Sequence, residues 1–470
     1  MVKHVDRILL VEAPQVSSSK DHTPPLGLGY LAEFARQTLP EAHVQIVDST
    51  IEQWSVDDAI TGIAEQNPDV VGLTANSHNR FNVIDVCRGV KARCPKTKIV
   101  LGGPHFSYTA DDALHRIPEA DFVVRGEGER TFADLLQLLP EEDADAYQAV
   151  AGLSFRSGNE IVHNDDRKPM ENIDISPAWD LFQHDRYHAR LEGIKNVRAI
   201  GVTSSRGCPF RCAFCANRNA YSRRSRLRSP EHFVDELEML RDRYGYDAFD
   251  IWDDTFTLKH THVEAVCREI FRRRLNISWY ARIRANTTDN ELLSLMREAG
   301  CRAVGLGVES GSVKVLASIS KDIHLDDVRR IARHAVRLRM HVKTFFIHCL
   351  PGETEEDLRK TRDLMYDLRS YSRRVRPTCG MTLIYPGTEL EQIARQNNSL
   401  PESFSWNDRS PCTQGFGVGQ GCVPYFEGAT ISREAIKKYV KQYRPSFRRV
   451  ANRRVTRLLM RLPLAHRLVR

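Results

Sequence analysis

Cys208-Pro209-Phe210-Arg211-Cys212-Ala213-Phe214-Cys215 brings three thiols together within eight residues. Iron–sulfur clusters are held by Cys thiolates, commonly four of them. Three leave one metal position open to a ligand that is not protein. Structural zinc takes four nitrogen or sulfur ligands, and no further Cys or His pair follows nearby. A disulfide is disfavoured in a reducing compartment, and Met1-Val2-Lys3-His4 leads into an apolar strand without a signal-peptide profile. The spacing favours a three-thiolate iron–sulfur site that does chemistry. The other eight cysteines are scattered and are expected to be buried or free thiols.

Such a loop has to be held by regular structure. It follows an apolar stretch ending in Thr203-Ser204-Ser205-Arg206-Gly207, so it reads as the end of a strand, where α/β proteins place ligands. Strand-like stretches at 199–203, 247–252, 277–283, 301–308, 342–348 and 379–384 alternate with helical patterns near 231–243, 261–274, 289–299, 325–339 and 355–369. Six βα units predict a partial or full barrel with loop chemistry at its C-terminal mouth.

The first 140 residues show the same alternation. Apolar runs at Ile8–Glu12, Val44–Val47, Val70–Ala75, Ile99–Leu101 and Phe122–Val124 are separated by helical patterns starting near Gly27, Ser55, Asn79, Asp111 and Glu129. This predicts a parallel, doubly wound sheet. Its strand ends carry small residues: Thr74-Ala75-Asn76-Ser77, Gly102-Gly103-Pro104-His105 and Arg125-Gly126-Glu127-Gly128-Glu129. Glycine lets a backbone approach a bulky planar or phosphate-bearing ligand closely. A short hairpin of Gly152–Phe155 and Glu160–His163 is expected in the connector that follows. The expected domains are 1–145, a linker at 146–195, a barrel at 196–390 and an accessory region at 391–470, the last ending in a helical extension.

The net charge of +7 is a property of the tail. Residues 431–470 hold thirteen Lys/Arg against the single acid Glu434, a net +12, which leaves the rest of the chain at −5. Arg448, Arg449, Arg453, Arg454, Arg457 and Arg461, interleaved with Val450, Val455, Leu458, Leu459 and Leu462, resemble a basic amphipathic helix. Such a face can lie on anionic lipid or pack, solvated, against the barrel. No run of ~18 apolar residues occurs. A cytoplasmic location is expected, with peripheral contact at the inner membrane face through 445–470 and no nucleic-acid partner. The reading from another class is a membrane- or nucleic-acid-binding protein with a vestigial cluster. The segment from Trp406 to Tyr425, with its glycines at 415–421, reads as a lid or a plain surface loop.

The CxxxCxxC spacing, with Phe214 before the last cysteine, resembles the radical S-adenosylmethionine (SAM) superfamily. The resemblance implies a [4Fe–4S] cluster on Cys208, Cys212 and Cys215 in a six-stranded partial TIM barrel. The open iron chelates SAM, and one electron cleaves it to methionine and a 5′-deoxyadenosyl radical. It further implies SAM contacts from Phe214, from Asp253 and Asp254 after the second barrel strand, from Arg282 on the third, and from Glu309 and Ser310 after the fourth. Leu350-Pro351-Gly352-Glu353-Thr354 is similar to a family turn near the adenine. Turn capping is the other reading of Asp253 and Asp254, and a helix-start carboxylate that of Glu353.

Pro24-Pro25-Leu26-Gly27-Leu28-Gly29-Tyr30, Gly102-Gly103-Pro104-His105 and Val124-Arg125-Gly126-Glu127-Gly128-Glu129 resemble the cobalamin (B12)-binding domain of B12-dependent radical SAM enzymes. Leu26, Thr74, Asn76, Ser77, Gly102, Gly103, Gly126 and Glu127 are the implied cobalamin contacts, in a Rossmann-like domain stacked on the barrel. The DxHxxG signature that supplies an axial His is absent, since the second strand ends Val47-Asp48-Ser49-Thr50. His78 and His105 are expected in turn or supporting roles. The implied activity is methyl transfer from methylcobalamin to an unactivated carbon by way of the 5′-deoxyadenosyl radical. Its partners are a small-molecule or lipid-like substrate and an electron donor such as flavodoxin or ferredoxin. The alternative is a non-methylating oxidoreductase, cyclase or ring-rearranging enzyme of the same family.

Overall fold

The computed structural model describes residues 4–15, 22–141, 144–216, 223–410 and 422–426. Central parallel strands, buried on both faces, read as continuous aliphatic runs. Arg7–Glu12 (β1) is such a run, with every residue after Arg7 buried. Then come Leu26–Thr38 (α1), His43–Asp48 (β2), Val56–Glu65 (α2), Val70–Thr74 (β3), Arg80–Arg93 (α3), Lys98–Gly102 (β4), Gly103–Arg116 (α4), Phe122–Val124 (β5) and Gly128–Leu138 (α5). The strands run parallel in the order β2-β1-β3-β4-β5. In this doubly wound order a ligand crevice opens at the carboxyl ends, where the strand order reverses.

Two features differ from the sequence reading. Helix α4 starts at Gly103, not near Asp111, with Pro104 in its first turn and a kink at Thr109. The connector is also more than a linker. Leu153–Ser157 (β6) and Glu160–His163 (β7) form the hairpin, and β6 pairs antiparallel with β5, extending the sheet to seven strands.

The second sheet holds Ala199–Val202 (β8), Ala248–Ile251 (β9), Ser278–Ile283 (β10), Cys301–Glu309 (β11), His341–His348 (β12) and Val375–Met381 (β13). All six strands are parallel and neighbour one another in chain order. Between them run Pro230–Tyr244 (α6), His260–Arg272 (α7), Asn290–Glu298 (α8), Leu325–Arg337 (α9) and Glu355–Tyr371 (α10). Strand β13 begins before the expected 379. Residues 382–384 then pair instead with 424–426, through Ile384 N to Pro424 O and Phe426 N to Thr382 O.

One apolar core runs through both sheets and includes Leu28 and Ala32 of α1, Trp179 and Phe182 of the connector, and Ile200 and Phe249 of the barrel. Gly29 makes this close packing possible: a Cβ there would lie 2.8 Å from both Pro177 and Phe182. Residues 404–407 are packed on the first sheet's helices, with Arg80 Nε donating to Trp406 O at 2.7 Å and Asn407 Nδ2 to Asp112 at 2.8 Å. The glycines at 415–421 and the expected basic helix at 445–470 lie outside the described residues. Among the described residues no helix is long and apolar enough to cross a membrane.

A buried ion pair anchors the strand end that carries the three cysteines. Arg228 donates to Glu236 of α6 at 2.8 Å and to the Thr203 carbonyl at 3.0 Å, with both charged side chains almost wholly covered. Removing one partner of a buried pair leaves an uncompensated charge, at a cost of roughly 3–5 kcal/mol. Glu236→Ala is therefore expected to lower unfolding free energy by about that amount in a denaturant titration.

Candidate active site

The carboxyl ends of both sheets border one cavity of about 630 Å³. The first sheet contributes Glu12 of β1, Asp48 of β2, Thr74 of β3, Gly102 of β4 and Val124 of β5, while the barrel contributes Thr203, Arg206, Gly207, Trp252 and Asp254. Of the residues expected to meet cobalamin, Leu26, Thr74, Asn76, Gly102, Gly103, Gly126 and Glu127 all border it. Gly103 has φ +85°, and a Cβ there would lie 2.5 Å from Thr74 Oγ1 and 2.8 Å from the Ala75 carbonyl. Glycine is needed here because a side chain would collide with the strand end of β3, and it lets the backbone turn at the rim of the cavity.

Ser77 is not on the cavity. Its hydroxyl meets Nδ1 of buried His105 at 3.1 Å, and His105 Nε2 meets Asn407 Oδ1 at 3.2 Å. Burial, with Arg80 nearby, pushes the His105 imidazole down to about 3. Both ring nitrogens are thus engaged inside the protein and the ring is neutral. His78 is also turned away, its Nε2 3.0 Å from the Tyr385 hydroxyl. The supporting roles expected of both histidines agree with these contacts.

Glu12 and Asp48, neighbours across β1 and β2, form the acidic end of the cavity. Glu12 accepts a hydrogen bond from Gln15 Nε2, and Asp48 accepts one from the Tyr187 hydroxyl at 3.1 Å. Burial, reinforced by Asp48, pushes the Glu12 carboxyl from 4.5 up to about 8. Burial raises Asp48 as well. A carboxyl raised on folding stabilises the fold below its unfolded value, and that contribution is lost as pH climbs through the folded value. Glu12→Gln is expected to flatten the decline in apoprotein melting temperature between roughly pH 5 and 9. Unchanged curvature in thermal scans across that range would count against this ionisation.

Glu127 borders the cavity, but Arg226 holds both of its oxygens, Nη1 to Oε2 at 2.8 Å and Nη2 to Oε1. Arg206 meets Glu129 at 2.7 Å and lies 4.6 Å over the Tyr30 ring. Tyr30 in turn reaches Thr203 Oγ1 at 3.1 Å. This network ties the turn before α5 to the residue preceding Gly207 and Cys208. The sequence reading missed Arg206, although its place one residue before the glycine of the cysteine loop was a usable signal.

Cys208 and Cys215 are half-buried and Cys212 is buried, and none of the three forms a disulfide. Burial pushes the Cys208 thiol up, so binding a metal there releases a proton. Among the described residues no three His, Cys, Asp or Glu side chains gather as ligands of a single metal ion. A [4Fe–4S] cluster does not ask for that, because each thiolate takes a separate iron. Three thiols on one loop, with the Arg284 guanidinium 3.7 Å from Cys212 Sγ, fit an anionic thiolate cluster. The cavity with its glycine edge fits a corrin.

The expected SAM contacts divide. Asp254 borders the cavity, and its charge is felt at Cys208. Phe214 packs beside Ala213, Val315 and Leu350. Asp253 is spent on the neighbouring loop after β8, accepting from Ser204 N at 2.7 Å, Ser204 Oγ at 2.6 Å and Ser205 N at 3.1 Å. Arg282 is paired with Asp250 on the next strand at 2.9 Å. Glu309, at φ +65°, accepts from Lys321 at 2.8 Å. Ser310 is fully buried, with its hydroxyl 3.1 Å from Thr361 Oγ1. Glu353 holds the turn after β12, accepting from Cys349 N at 2.7 Å, and burial pushes its carboxyl up to about 7.

Comparison with known proteins bears on the same two regions. The family model of the radical SAM superfamily matches residues 202–365, and that of the B12 binding domain matches residues 14–136. The chain is 32% identical over 407 residues to an uncharacterized methyltransferase of Pyrococcus horikoshii, covering 84% of each chain. It is 27% identical over 350 residues to the anaerobic magnesium-protoporphyrin IX monomethyl ester cyclase of Cereibacter sphaeroides, covering 73% of this chain and 56% of that protein. The solved radical SAM methyltransferase TsrM of Kitasatospora setae, with cobalamin and a [4Fe-4S] cluster bound, has the same fold at a TM-score of 0.67 and 20% identity, over 83% of this chain and 75% of that one. A B12-binding sheet, a radical SAM barrel and a cavity bordered by the carboxyl ends of both place this chain in the B12-binding branch of the radical SAM superfamily, to which it belongs.

Proposed function

We propose that this chain is a cobalamin-dependent radical SAM methyltransferase that moves a methyl group to an unactivated carbon of a small-molecule substrate. The observation that carries the reading is the shared cavity, in which Gly102, Gly103 and Gly126 face the same volume as Gly207 and Asp254. When bound, cobalamin supplies a transferable methyl group, and the cluster with SAM supplies a 5′-deoxyadenosyl radical.

The chain's own residues seat and shield these groups. Cys208, Cys212 and Cys215 would hold the cluster through their three thiolates. Asp254 takes the SAM amino group, while Asp253 fixes the loop from which the cysteines hang. Leu26, Leu28, Val100, Leu101 and Phe132 give the cavity apolar walls, which keep water from a reactive radical. Thr74, Asn76 and the glycine edge receive the corrin. Electrons come from a one-electron donor such as flavodoxin or ferredoxin. The basic segment 445–470 extends the reading to peripheral contact with anionic lipid and to a lipid-like substrate. Equal sedimentation with anionic vesicles, with and without that segment, would remove the extension.

The decisive assay follows SAM labelled in its methyl group through turnover by the reduced, cobalamin-loaded enzyme. Label in the substrate together with 5′-deoxyadenosine is the expected result. The similarity to a magnesium-protoporphyrin cyclase favours oxidative cyclisation as the second reading. Deoxyadenosine with no methyl transferred to the substrate would replace the first reading by the second.

A further inference from the structure

Strand β10 ends at Ile283 with Arg282 inside it, and Arg284 follows in extended backbone just past its end; the two arginines have different fates. Arg282 ends on Asp250. Arg284 crosses to the cysteine loop, and only 4% of it is exposed. Its Nη1 donates to Cys212 Sγ at 3.7 Å, its Nε to Asn286 Oδ1 at 2.9 Å and its Nη2 to the Asp322 carbonyl at 2.9 Å. The guanidinium carbon stands 3.7 Å from the centre of the Phe210 ring. The planar fork is therefore fixed on each edge and on one face. No carboxylate is among these partners.

The loop around it is built to match. Ala213 N donates to the Ile319 carbonyl at 3.0 Å, so the cysteine loop and the 319–322 turn lie side by side. Asn286 Nδ2 adds a second donor to the Asp322 carbonyl at 2.9 Å. Arg284 thus bridges the cysteine loop and that turn with a cation that cannot be deprotonated in a protein.

We propose that Arg284 is a positioning residue that sets the reduction potential of the cluster held by Cys208, Cys212 and Cys215. The proposal rests on the cluster assignment above. Reduction adds one electron to a cluster that already carries thiolate charge. A fixed cation donating to a ligand sulfur stabilises the more negative, reduced state, and hydrogen bonds to the sulfurs are among the terms that set such potentials. Burial strengthens the effect by removing solvent screening. Arg284 consequently makes the electron that cleaves SAM easier to deliver, and through Phe210 and Asp322 it fixes the direction in which Cys212 points.

The test is a redox titration of the reconstituted full-length protein, followed by EPR, for wild type, Arg284→Met and Arg284→Lys. Arg284→Met is expected to shift the reduction equilibrium toward the oxidised form by tenfold or more, a fall in midpoint of about 59 mV for a one-electron couple. Arg284→Lys keeps the charge but cannot span Cys212, Asn286 and Asp322 together. It is expected to show a smaller fall and altered g-values. A wild-type midpoint and spectrum in Arg284→Met, at full iron content, overturns the proposal. If Arg284→Met does not hold a cluster, a wild-type midpoint and spectrum in Arg284→Lys overturns it instead. Absence of a [4Fe–4S] signal in wild type would overturn the cluster assignment itself, which is a distinct result.

Discussion

Cys212→Ala is expected to abolish the cluster, and with it all 5′-deoxyadenosine formation, while leaving cobalamin binding in place. Of the three thiols, Cys212 has the least freedom. It is 7% exposed, its carbonyl accepts from Cys215 N at 3.1 Å, and its sulfur faces Arg284. Alanine removes one of three protein ligands and leaves two thiols, too few to hold a cluster that ordinarily takes four ligands. The fold should survive, because the loop follows β8 and the strand end is held independently by Asp253 and by the Arg228–Glu236 pair. The cobalamin side should survive as well, since its border is drawn chiefly from β1 to β5 and α1. Iron and sulfide content with EPR of the reduced protein, 5′-deoxyadenosine formation from SAM, and titration with cobalamin read the three claims separately. A full complement of iron in the variant would remove Cys212 from the ligand set.

Much of this architecture could be read from the sequence for a definite physical reason. Strands buried on both faces have to be aliphatic throughout, so Ile8–Glu12 and Phe122–Val124 stood out, and the structure has strands there. What stayed hidden depended on partners distant in the chain. Gly102-Gly103-Pro104-His105 looks like a turn, yet a helix starts within it, because proline in a first turn loses no hydrogen bond. The hairpin at 153–163 was visible, but its pairing with β5 was not, since no local pattern names a strand's neighbour.

The site followed the same division. The cysteine loop follows β8, and the glycine strand ends border the cavity, which is where short motifs alone place backbone. Side-chain destinations did not follow from motif alone. Asp253 and Asp254 are adjacent past the end of β9, and one is held by the loop after β8 while the other borders the cavity. Arg282 and Arg284 are two residues apart, yet Arg282 is paired with Asp250 on a neighbouring strand while Arg284, just past the strand end, reaches the cysteine loop. Ser77 shared a motif with Thr74 and Asn76, but His105 claims its hydroxyl.

The corrin seat yields the second large effect, and a pair of glycines separates its two causes. At Gly27, in the first turn of α1, a Cβ meets nothing within 4 Å, and the residue borders the cavity. Leucine there suits a helix better than glycine by about 1 kcal/mol, so Gly27→Leu should fold at least as well as wild type while filling space the ligand needs. Overpacking of this kind costs about 1–3 kcal/mol, equivalent to a loss in cobalamin affinity of roughly 5- to 150-fold. Gly103→Ala acts differently. Its φ of +85° puts any L side chain in the left-handed region, and the added Cβ would press on the Ala75 backbone at 2.8 and 2.9 Å. The left-handed conformation alone costs roughly 1–2 kcal/mol, and the backbone has to shift as well, so this variant should lose stability and cobalamin together. Thermal unfolding and cobalamin titration, run on both apoproteins, give the contrast: a stable non-binder for Gly27→Leu, a destabilised one for Gly103→Ala. Wild-type affinity in Gly27→Leu would count against a corrin seated beside the first turn of α1.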